Sequence, residues 1–446
     1  MKTQTMSLEV VQKRSRTRYV TLSMLVIASA VALADRANLS IAGSAMSAEL
    51  GISPVELGFL FSAFSWAYVA GQLPAGWLLD RFGAIRVYGV ALLGWSVLTL
   101  AQGFVGFGPV GWTVVILFAL RFLMGFVEAP LSPGNSSITS NWFPVAERGT
   151  ATSIYNSAQY VAVLVFVPFM GLLVGHVNWE SVFWVMGTIG VVLSAVWART
   201  MHMPNQHPGI NELELAHLRE GGANVDGNIV QGVRRKVRVA DLKIFLTSRQ
   251  MLGIYLGQYC LASMQYFFLT WFPIYLVKGR GMNIVDVGFV ATLPAIAGFI
   301  GGILGGVISD ALTRKGYSLS VARKVPFVTG MLLSSSVVFC NYVESTYVVI
   351  AFVTLALFGK GLGAVNFALI ADTSPRHLVG FAGGLFNLFG SISGIVTPIV
   401  IGYAVAVTGS FTHALWFVAA HGMIAAISYL FVVGKIMPVQ AEPDKH

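Results

Sequence analysis

The chain has 446 residues, of which 56% are hydrophobic and only 11% are charged. A soluble domain carries roughly 25% charged residues, so the composition excludes a soluble protein and indicates one that crosses a membrane several times. The formal net charge of +9 does not indicate a nucleic-acid partner, because the basic residues concentrate in loops on one side of the predicted membrane.

Apolar runs separated by turn residues predict twelve membrane-spanning helices. Each run is close to or above the roughly 20 residues that a helix needs to cross a bilayer, whereas a barrel strand needs only about 10. The basic N-terminus resembles a signal peptide, but its apolar run is as long as a span and is taken as the first helix. The predicted spans are 19–41, 57–79, 85–106, 112–137, 148–175, 181–199, 251–277, 286–310, 324–342, 346–372, 379–406 and 413–436.

Lysine and arginine residues in the loops predict the orientation. The loops on one side of the predicted membrane are rich in basic residues, for example Arg81, Arg86 and Arg148. The loops on the other side contain chiefly glutamates, and their cations are Lys278 and Arg280. The basic side is therefore expected to be cytoplasmic. An even number of spans then places both termini in the cytoplasm.

The longest polar stretch, residues 200–250, separates two sets of six spans. It predicts a surface helix over 211–220 that Asn211 caps and that two glycines end, followed by a basic cluster at Arg234–Arg238 facing anionic headgroups. We therefore expect an N-terminal bundle over 1–199, a cytoplasmic linker over 200–250 and a C-terminal bundle over 251–446.

The two halves resemble each other in sequence. The segment from Gly149 to Asn156 matches the segment from Gly380 to Asn387, with an offset of 387 − 156 = 231 residues. A parallel repeat of this length is typical of carriers in which two bundles enclose a central site and rock about it.

The loop between spans two and three carries a dense motif of glycine and charge. Gly76 is expected to permit close helix approach, Gly83 to make a tight turn, and Asp80 to pair with a neighbouring charge or helix end. The motif resembles the cytoplasmic-loop signature of the major facilitator superfamily, which implies a latch on the inward-closed state. Its residues are Gly76, Asp80, Arg81, Gly83 and Arg86, with Asp310 in the shorter copy of the second half.

Further motifs narrow the resemblance to the anion:cation symporter branch, and over nearly the whole chain to its bacterial sugar-acid members. Asn205–Gly209 and Gly383–Asn387 are most similar to the glucarate/galactarate transporters. This resemblance implies twelve helices in two six-helix bundles and import of a sugar-acid anion with protons, by alternating access, across the bacterial inner membrane. The supporting motifs are Asp35–Ser40, Phe61–Trp66, Glu128–Pro130, Asn141–Pro144 and Thr270–Pro273.

Asp35 and Arg36 lie well inside the apolar run of the first span. Charges at such depth cost several kcal/mol unless they face a polar cavity or find partners. Either the pair marks the end of the span and reaches headgroup water, or it lines a water-filled path. In the second case Arg36 is the best candidate for the substrate anion, because a guanidinium binds a carboxylate through two parallel hydrogen bonds.

Arg121 and Glu128 are seven residues apart in span four and therefore share a helical face. Arg121 and Asp35 lie at comparable depths, which predicts that they pair, with Glu128 deeper toward the cytoplasm. The resemblance makes Asp35 and Glu128 the proton-coupling carboxylates, whose protonation would release Arg121 and permit anion binding. The alternative is a structural ion pair that does not titrate.

Several polar side chains deep in other spans are candidates for binding substrate hydroxyls, although each alone is more often a helix–helix hydrogen bond. The resemblance places Tyr68, Gln159 and Asn387 in the site, with Gln258 as a further candidate. Val365–Phe367 occupies the place where similar proteins have a tryptophan next to a small or hydroxyl residue, so Asn366 and Phe367 are expected to mark a changed sugar preference.

Lys360 falls near the middle of span ten. A lysine at the bilayer midplane is costly and by default indicates a site. A dicarboxylate such as glucarate needs a second cation besides Arg36, so we expect Lys360 to bind its second carboxylate. The alternative is pairing with a protein acid such as Glu128.

The sequence contains no metal-ligand cluster, no nucleophile–base arrangement and no nucleotide-binding loop, so neither an enzyme nor a cofactor is expected. Cys260 and Cys340 lie in apolar runs and are expected to be core residues. The expected partners are a sugar-acid anion, protons and the bilayer, with the protein as a monomer. Open alternatives are another hexonate or hexuronate as substrate, a proton-independent exchanger, and a channel or receptor.

Overall fold

The computed structural model of the chain describes residues 14–108, 110–226, 239–375 and 378–438, and it is almost entirely helical. Ten helices in these ranges are long and apolar enough to cross a membrane, and a pair of helices bent by 50° provides an eleventh span. Pro54–Phe82 is a further helix of 29 residues, with Asp80 and Arg81 near its end. The expected all-helical membrane fold is therefore confirmed.

The first half contains six long helices. They are α1 (Thr17–Glu49), α2 (Pro54–Phe82), α3 (Ala84–Gln102), α4 (Thr113–Trp142), α5 (Arg148–His176) and α6 (Glu180–Thr200). Two shorter helices follow in the linker region, α7 (Glu212–Glu220) and α8 (Val239–Thr247).

The second half begins with the bent pair. It contains α9 (Arg249–Thr270), α10 (Phe272–Gly279), α11 (Ile284–Arg314), α12 (Leu319–Tyr342), α13 (Thr346–Thr373), α14 (Val379–Thr408) and α15 (Thr412–Val432). The free cysteines Cys260 and Cys340 are both buried, in agreement with the expectation that they are core residues.

Several spans are interrupted close to their charged residues. Helical hydrogen bonding in α4 breaks at Ala129 and Pro130, directly after Glu128, and α13 tightens to a 3-10 turn at Gly363–Val365, soon after Lys360. Proline lacks the N–H that would continue the helix. Non-helical backbone at membrane depth is tolerated where it is buried in protein or lines a cavity, so these breaks mark the polar interior of the protein.

The helices define two faces of the protein, which we name by charge. The basic face contains the start of α1 and the ends that carry Arg81 and Arg148, and the opposite face contains the end of α1 at Glu49. The two halves meet closely near the opposite face. A Cβ atom on Gly58 would lie 2.6 Å from the Pro398 carbonyl oxygen, and one on Gly402 would lie 2.5 Å from that of Pro54.

Glycines near the basic face have different surroundings. A Cβ atom on Gly76, Gly149, Gly306 or Gly384 would meet no heavy atom within 4 Å. The expectation that Gly76 permits a close helix approach is therefore wrong in this conformation. The close contacts of Gly58 and Gly402 across the two halves, together with the open surroundings of Gly76 and Gly384, indicate bundles that are closed at the opposite face and separated toward the basic face.

The linker helix α7 is docked on the N-terminal bundle. The buried carboxylate of Glu214 accepts hydrogen bonds from the Ser15 hydroxyl at 2.6 Å, the Thr17 backbone N–H at 3.0 Å and the Arg18 backbone N–H at 3.2 Å. It thereby satisfies backbone donors at the start of α1, which have no partner within their own helix.

The predicted linker helix is confirmed, because Asn211 caps it by accepting the Glu214 N–H at 3.0 Å. The basic cluster at Arg234–Arg238 lies outside the described residues. The domain boundaries at 199/200 and 250/251 stay a prediction.

Replacing Glu214 by alanine is expected to lower the free energy of unfolding by about 2 to 3 kcal/mol, because buried donors would lose a charged acceptor. Glu212 provides a matched control, since it lies exposed on the same helix. Thermal unfolding in detergent measures the effect. Equal unfolding temperatures for Glu214→Ala and Glu212→Ala would contradict the assigned role.

Candidate functional site

The central feature of the protein is an ion pair between α1 and α4. Arg36 donates its Nε–H to Glu128 Oε1 at 2.8 Å, and its Nη2 lies 2.6 Å from the same oxygen. The Glu128 side chain is fully buried, whereas that of Arg36 is 20% exposed. The residue expected to bind the substrate anion is therefore held by one of the expected proton-coupling carboxylates.

Aromatic rings surround the Arg36 guanidinium. Its central carbon lies 4.8 Å from the centre of the Phe64 ring and 5.0 Å from that of Tyr68. Tyr266 of α9 faces the same group from the other half, and both its ring and the Ser65 hydroxyl pack against Gly394. Cation–π contacts hold a guanidinium in place while leaving its N–H groups available for an acceptor.

Arg121 does not form the predicted ion pair with Asp35. Its Nη1 donates to the main-chain carbonyl oxygen of Asp35 and its Nη2 to that of Arg36, each at 3.5 Å. Within the described ranges Arg121 has no carboxylate within ion-pair distance. The expectation that Asp35 and Glu128 both hold Arg121 is therefore wrong here. Arg121 instead supports the backbone that carries Asp35 and Arg36.

Asp35 is completely buried. Its Oδ1 accepts a hydrogen bond from the Asn38 amide at 3.0 Å, and its Oδ2 has no hydrogen-bond partner in the part of the chain that the structure describes. The Thr99 hydroxyl lies near this carboxyl group and also 3.8 Å from the Met124 sulfur. Asp35 is thus a carboxyl group at membrane depth with one oxygen unsatisfied.

Lys360 lies between two close helix contacts on α13. Gly359 packs against the backbone of Gly330 on α12, and Gly361 packs against that of Gly298 on α11. The Lys360 ammonium group donates a hydrogen bond to the Gln265 side-chain oxygen of α9. Pairing with Glu128 is not seen, so this cation faces a neutral amide.

Gln258 and Asn366 belong to a closed hydrogen-bond network inside the second half. The Asn366 amide donates to Gln258 Oε1 at 3.2 Å, and the Asn366 oxygen accepts from the Tyr429 hydroxyl. Asn366 is completely buried. Its polar atoms are already engaged, which disfavours direct contact with a substrate in this conformation.

The two remaining candidates for hydroxyl binding are exposed. Gln159 lies on α5 next to Tyr160, whose ring contacts Phe299 of the other half with a centroid distance of 4.5 Å. Asn387 lies on α14 beside the buried Phe386. The structure therefore does not bring either residue into the hydrogen-bond network around Arg36.

The loop motif lies on the basic face. Gly83 has φ = +84° and forms the turn between α2 and α3, as expected, because glycine adopts positive φ without steric cost. The Arg81 guanidinium lies 5.1 Å from the Trp77 ring centre, and both Asp80 and Arg86 are exposed. A cavity of about 590 Å³ adjoins this motif.

In the second half, Asp310 is only weakly engaged. Arg323 Nη1 lies 4.0 Å from the Asp310 carboxylate, whereas Arg323 Nε donates to Asp372 at 2.8 Å. Asp372 was not identified from the sequence, although its carboxyl group follows the apolar part of span ten. In the described ranges, no group of three or more His, Cys, Asp or Glu side chains is arranged to hold a metal ion.

Comparisons with known proteins agree over most of the chain. The family model of the Major Facilitator Superfamily matches residues 25–322. The chain is 53% identical over 440 residues to the "Probable galactarate/D-glucarate transporter GudP" of Escherichia coli K12, covering 97% of each chain. It is 38% identical over 429 residues to the "D-galactonate transporter" of Escherichia coli O6:H1, covering 96% of this chain and 98% of that protein.

Two solved structures show the same fold at low sequence identity. A bacterial homologue of the lysosomal transporter Spinster, inward-facing and occupied, has a TM-score of 0.75 at 14% identity, with 97% of this chain and 100% of that one covered. A D-xylose–proton symporter has a TM-score of 0.68 at 14% identity, with 94% and 98% covered.

Proposed function

The chain belongs to the major facilitator superfamily, and we propose that it imports sugar-acid anions together with protons by alternating access. Glucarate and galactarate are the proposed substrates, because relatives named for them are 53% and 47% identical over nearly the whole chain. As a member of this family, the chain is a transporter rather than an enzyme.

The observation that carries the proposal is the contact between Arg36 and Glu128. A substrate carboxylate would bind the same N–H groups that Glu128 occupies, since a guanidinium presents them in a fork that matches one carboxylate. The protein carboxylate and the substrate carboxylate therefore compete for Arg36. The two aromatic rings keep the guanidinium in position during the exchange.

This competition couples the substrate to a proton. When Glu128 is protonated, it loses its charge-assisted hold on Arg36, which is then available to the anion. After the anion leaves toward the basic face, Glu128 loses its proton and binds Arg36 again. The contact of Glu128 with Arg36 and the open surroundings of glycines near the basic face support assigning this structure to the state after release.

Asp35 and Arg121 are assigned supporting roles in this scheme. Asp35 is the second proposed proton carrier, because its buried carboxyl group has one oxygen without a partner. Arg121 is a positioning residue, since it binds the main-chain oxygens at Asp35 and Arg36. Loss of Arg121 would move both groups.

Lys360 is the proposed site for the second carboxylate of a dianion. It belongs to the other half of the protein and its partner is the neutral Gln265 amide, so an incoming carboxylate displaces no charged group. A monocarboxylate needs only Arg36. Gln265, Tyr266, Tyr68, Gln159 and Asn387 are proposed to contact the hydroxyl-bearing chain between the two ends.

The orientation follows from the loop charges. The basic face is proposed to be cytoplasmic, with both termini on that side of the bacterial inner membrane. The loop motif at Asp80 would then close the cytoplasmic side in the alternate state. The protein is proposed to act as a monomer, since one chain carries both proposed carboxylate-binding cations, Arg36 and Lys360.

Uptake of labelled glucarate into proteoliposomes with an imposed inward proton gradient tests the proposal. We expect accumulation that depends on the gradient and that galactonate inhibits weakly. Accumulation of galactonate in place of glucarate would support proton symport but contradict the proposal that Lys360 binds a second carboxylate. Glucarate exchange without gradient dependence would identify a proton-independent exchanger and contradict the role of Glu128.

A further inference from the structure

A second cavity lies between the two halves on the opposite face. It has a volume of about 380 Å³ and adjoins the contacts that close this face, since Pro54 belongs to both. Ser47 and Leu57 line it from the first half, and Lys278, Asn341 and Thr412 line it from the second. Its floor includes Trp271, whose indole N–H donates to the Pro398 carbonyl oxygen at 3.1 Å within the closure.

The lining of this cavity is positively charged. Among its described residues are Lys278 and Arg280, with no aspartate or glutamate. Two carboxylates on this face are engaged elsewhere, because Glu49 accepts a hydrogen bond from the Trp179 indole at 2.9 Å and Glu56 accepts the Ser53 backbone N–H at the start of α2. An anion arriving at this face would therefore meet an attractive potential inside the cavity.

The two cations differ in what they bind. The Arg280 guanidinium is engaged in hydrogen bonds within the second half, because it donates to the Tyr275 hydroxyl and to the carbonyl oxygens of Val343 and Cys340. Lys278 is exposed, and its ammonium group donates to the Ser47 hydroxyl at 2.7 Å. Lys278 thus has a neutral partner that a carboxylate can replace.

That hydrogen bond also connects the halves, since Ser47 lies on α1 and Lys278 on α10. A second connection, from the Ser40 hydroxyl of α1 to the Thr270 carbonyl oxygen at the end of α9, has a length of 2.7 Å and lies deeper in the protein. The cavity therefore lies directly outside the closed region. The hydrogen bond from Lys278 to Ser47 is the outer of these two connections between the halves.

We propose that this cavity is an outer capture site for the carboxylate of the transported anion, with Lys278 as the residue that binds it. Binding would replace the Ser47 hydroxyl on Lys278 and so remove one tie between the halves on the side where the anion arrives. The inference rests on the proposed import of sugar-acid anions from the opposite face.

The test is the initial rate of glucarate uptake into intact cells as a function of glucarate concentration. We expect Lys278→Gln to raise KM about fivefold, the factor that corresponds to one partly exposed ion pair, with the maximal rate nearly unchanged. Lys278→Arg keeps the charge and is expected to have a KM close to that of the unsubstituted protein.

The variant Ser47→Ala distinguishes anion capture by Lys278 from a role of Lys278 only in closing the opposite face. It removes the tie but keeps the cation, so we expect it not to raise KM. If Lys278 serves only to close this face, Lys278→Gln and Ser47→Ala will change uptake alike, and the capture site is wrong. An unchanged KM in Lys278→Gln overturns it as well. Failure of the unsubstituted protein to take up glucarate would instead reject the proposed function.

Discussion

Replacing Glu128 by glutamine is expected to abolish proton-driven accumulation of glucarate while leaving exchange of glucarate across the membrane intact. Glutamine cannot ionise, so Arg36 would be permanently available to the anion and no proton would be required for the anion to bind. One pH unit across the membrane supports about tenfold accumulation for each coupled proton. We expect this accumulation to disappear in Glu128→Gln.

The measurement compares net uptake under a proton gradient with exchange between labelled and unlabelled glucarate in proteoliposomes. Glu147→Gln is a suitable control, because Glu147 also contacts an arginine, Arg18 at 3.3 Å, but lies near the basic face. Gradient-driven accumulation that persists in Glu128→Gln would show that the proton is carried elsewhere. Loss of exchange together with accumulation would indicate a structural role for Glu128.

Replacing Lys360 by glutamine is expected to weaken uptake of dicarboxylates and to spare monocarboxylates. A charged hydrogen bond inside the protein contributes about 2 to 3 kcal/mol, which corresponds to a factor of about 30 to 150 in apparent affinity. The KM for glucarate should rise by that factor, whereas the KM for galactonate should change little. An equal loss for both substrates would contradict the second-carboxylate site.

Two further variants sharpen this measurement. Gln265→Glu would give Lys360 a carboxylate partner, so it is expected to weaken glucarate uptake without removing the cation. Lys315→Gln removes an exposed lysine near the basic face and is expected to leave both KM values unchanged. If Gln265→Glu has no effect on glucarate, Lys360 does not bind the substrate.

The fold was predictable from the sequence because length and apolarity determine where helices cross a membrane. Several interruptions were not predicted as breaks, although Pro130 was visible. A hydropathy pattern shows an apolar run as continuous and does not record where backbone hydrogen bonding shifts. The break after Glu128 matters most, because it lies next to the residue that binds Arg36.

Which residues of the site pair with each other was harder to predict than which residues belong to it. Asp35 and Arg36 are adjacent, so their side chains project about 100° apart on the helix. Comparable depth in the membrane cannot decide which of them faces a given side chain of α4. Depth alone suggested Asp35 with Arg121, whereas the helix rotation in the structure brings Arg36 to Glu128.

Gln265 had a signal that was available in the sequence. It lies seven residues after Gln258, and residues at that spacing share a helical face. In the structure one amide binds Asn366 and the other binds Lys360. Tyr266 gave no comparable signal, because a tyrosine within the aromatic run at Tyr266–Phe268 resembles an ordinary core residue.

The burial of both cysteines has a practical consequence for spectroscopy. Water-soluble thiol reagents should react poorly with Cys260 and Cys340, so cysteines introduced at Gly149 and Gly384 would be the main labelling positions. A Cβ atom at either position meets nothing within 4 Å, and the positions lie in different halves. Spin labels there would report the width of the basic face as protons and glucarate are added, without replacing any native cysteine.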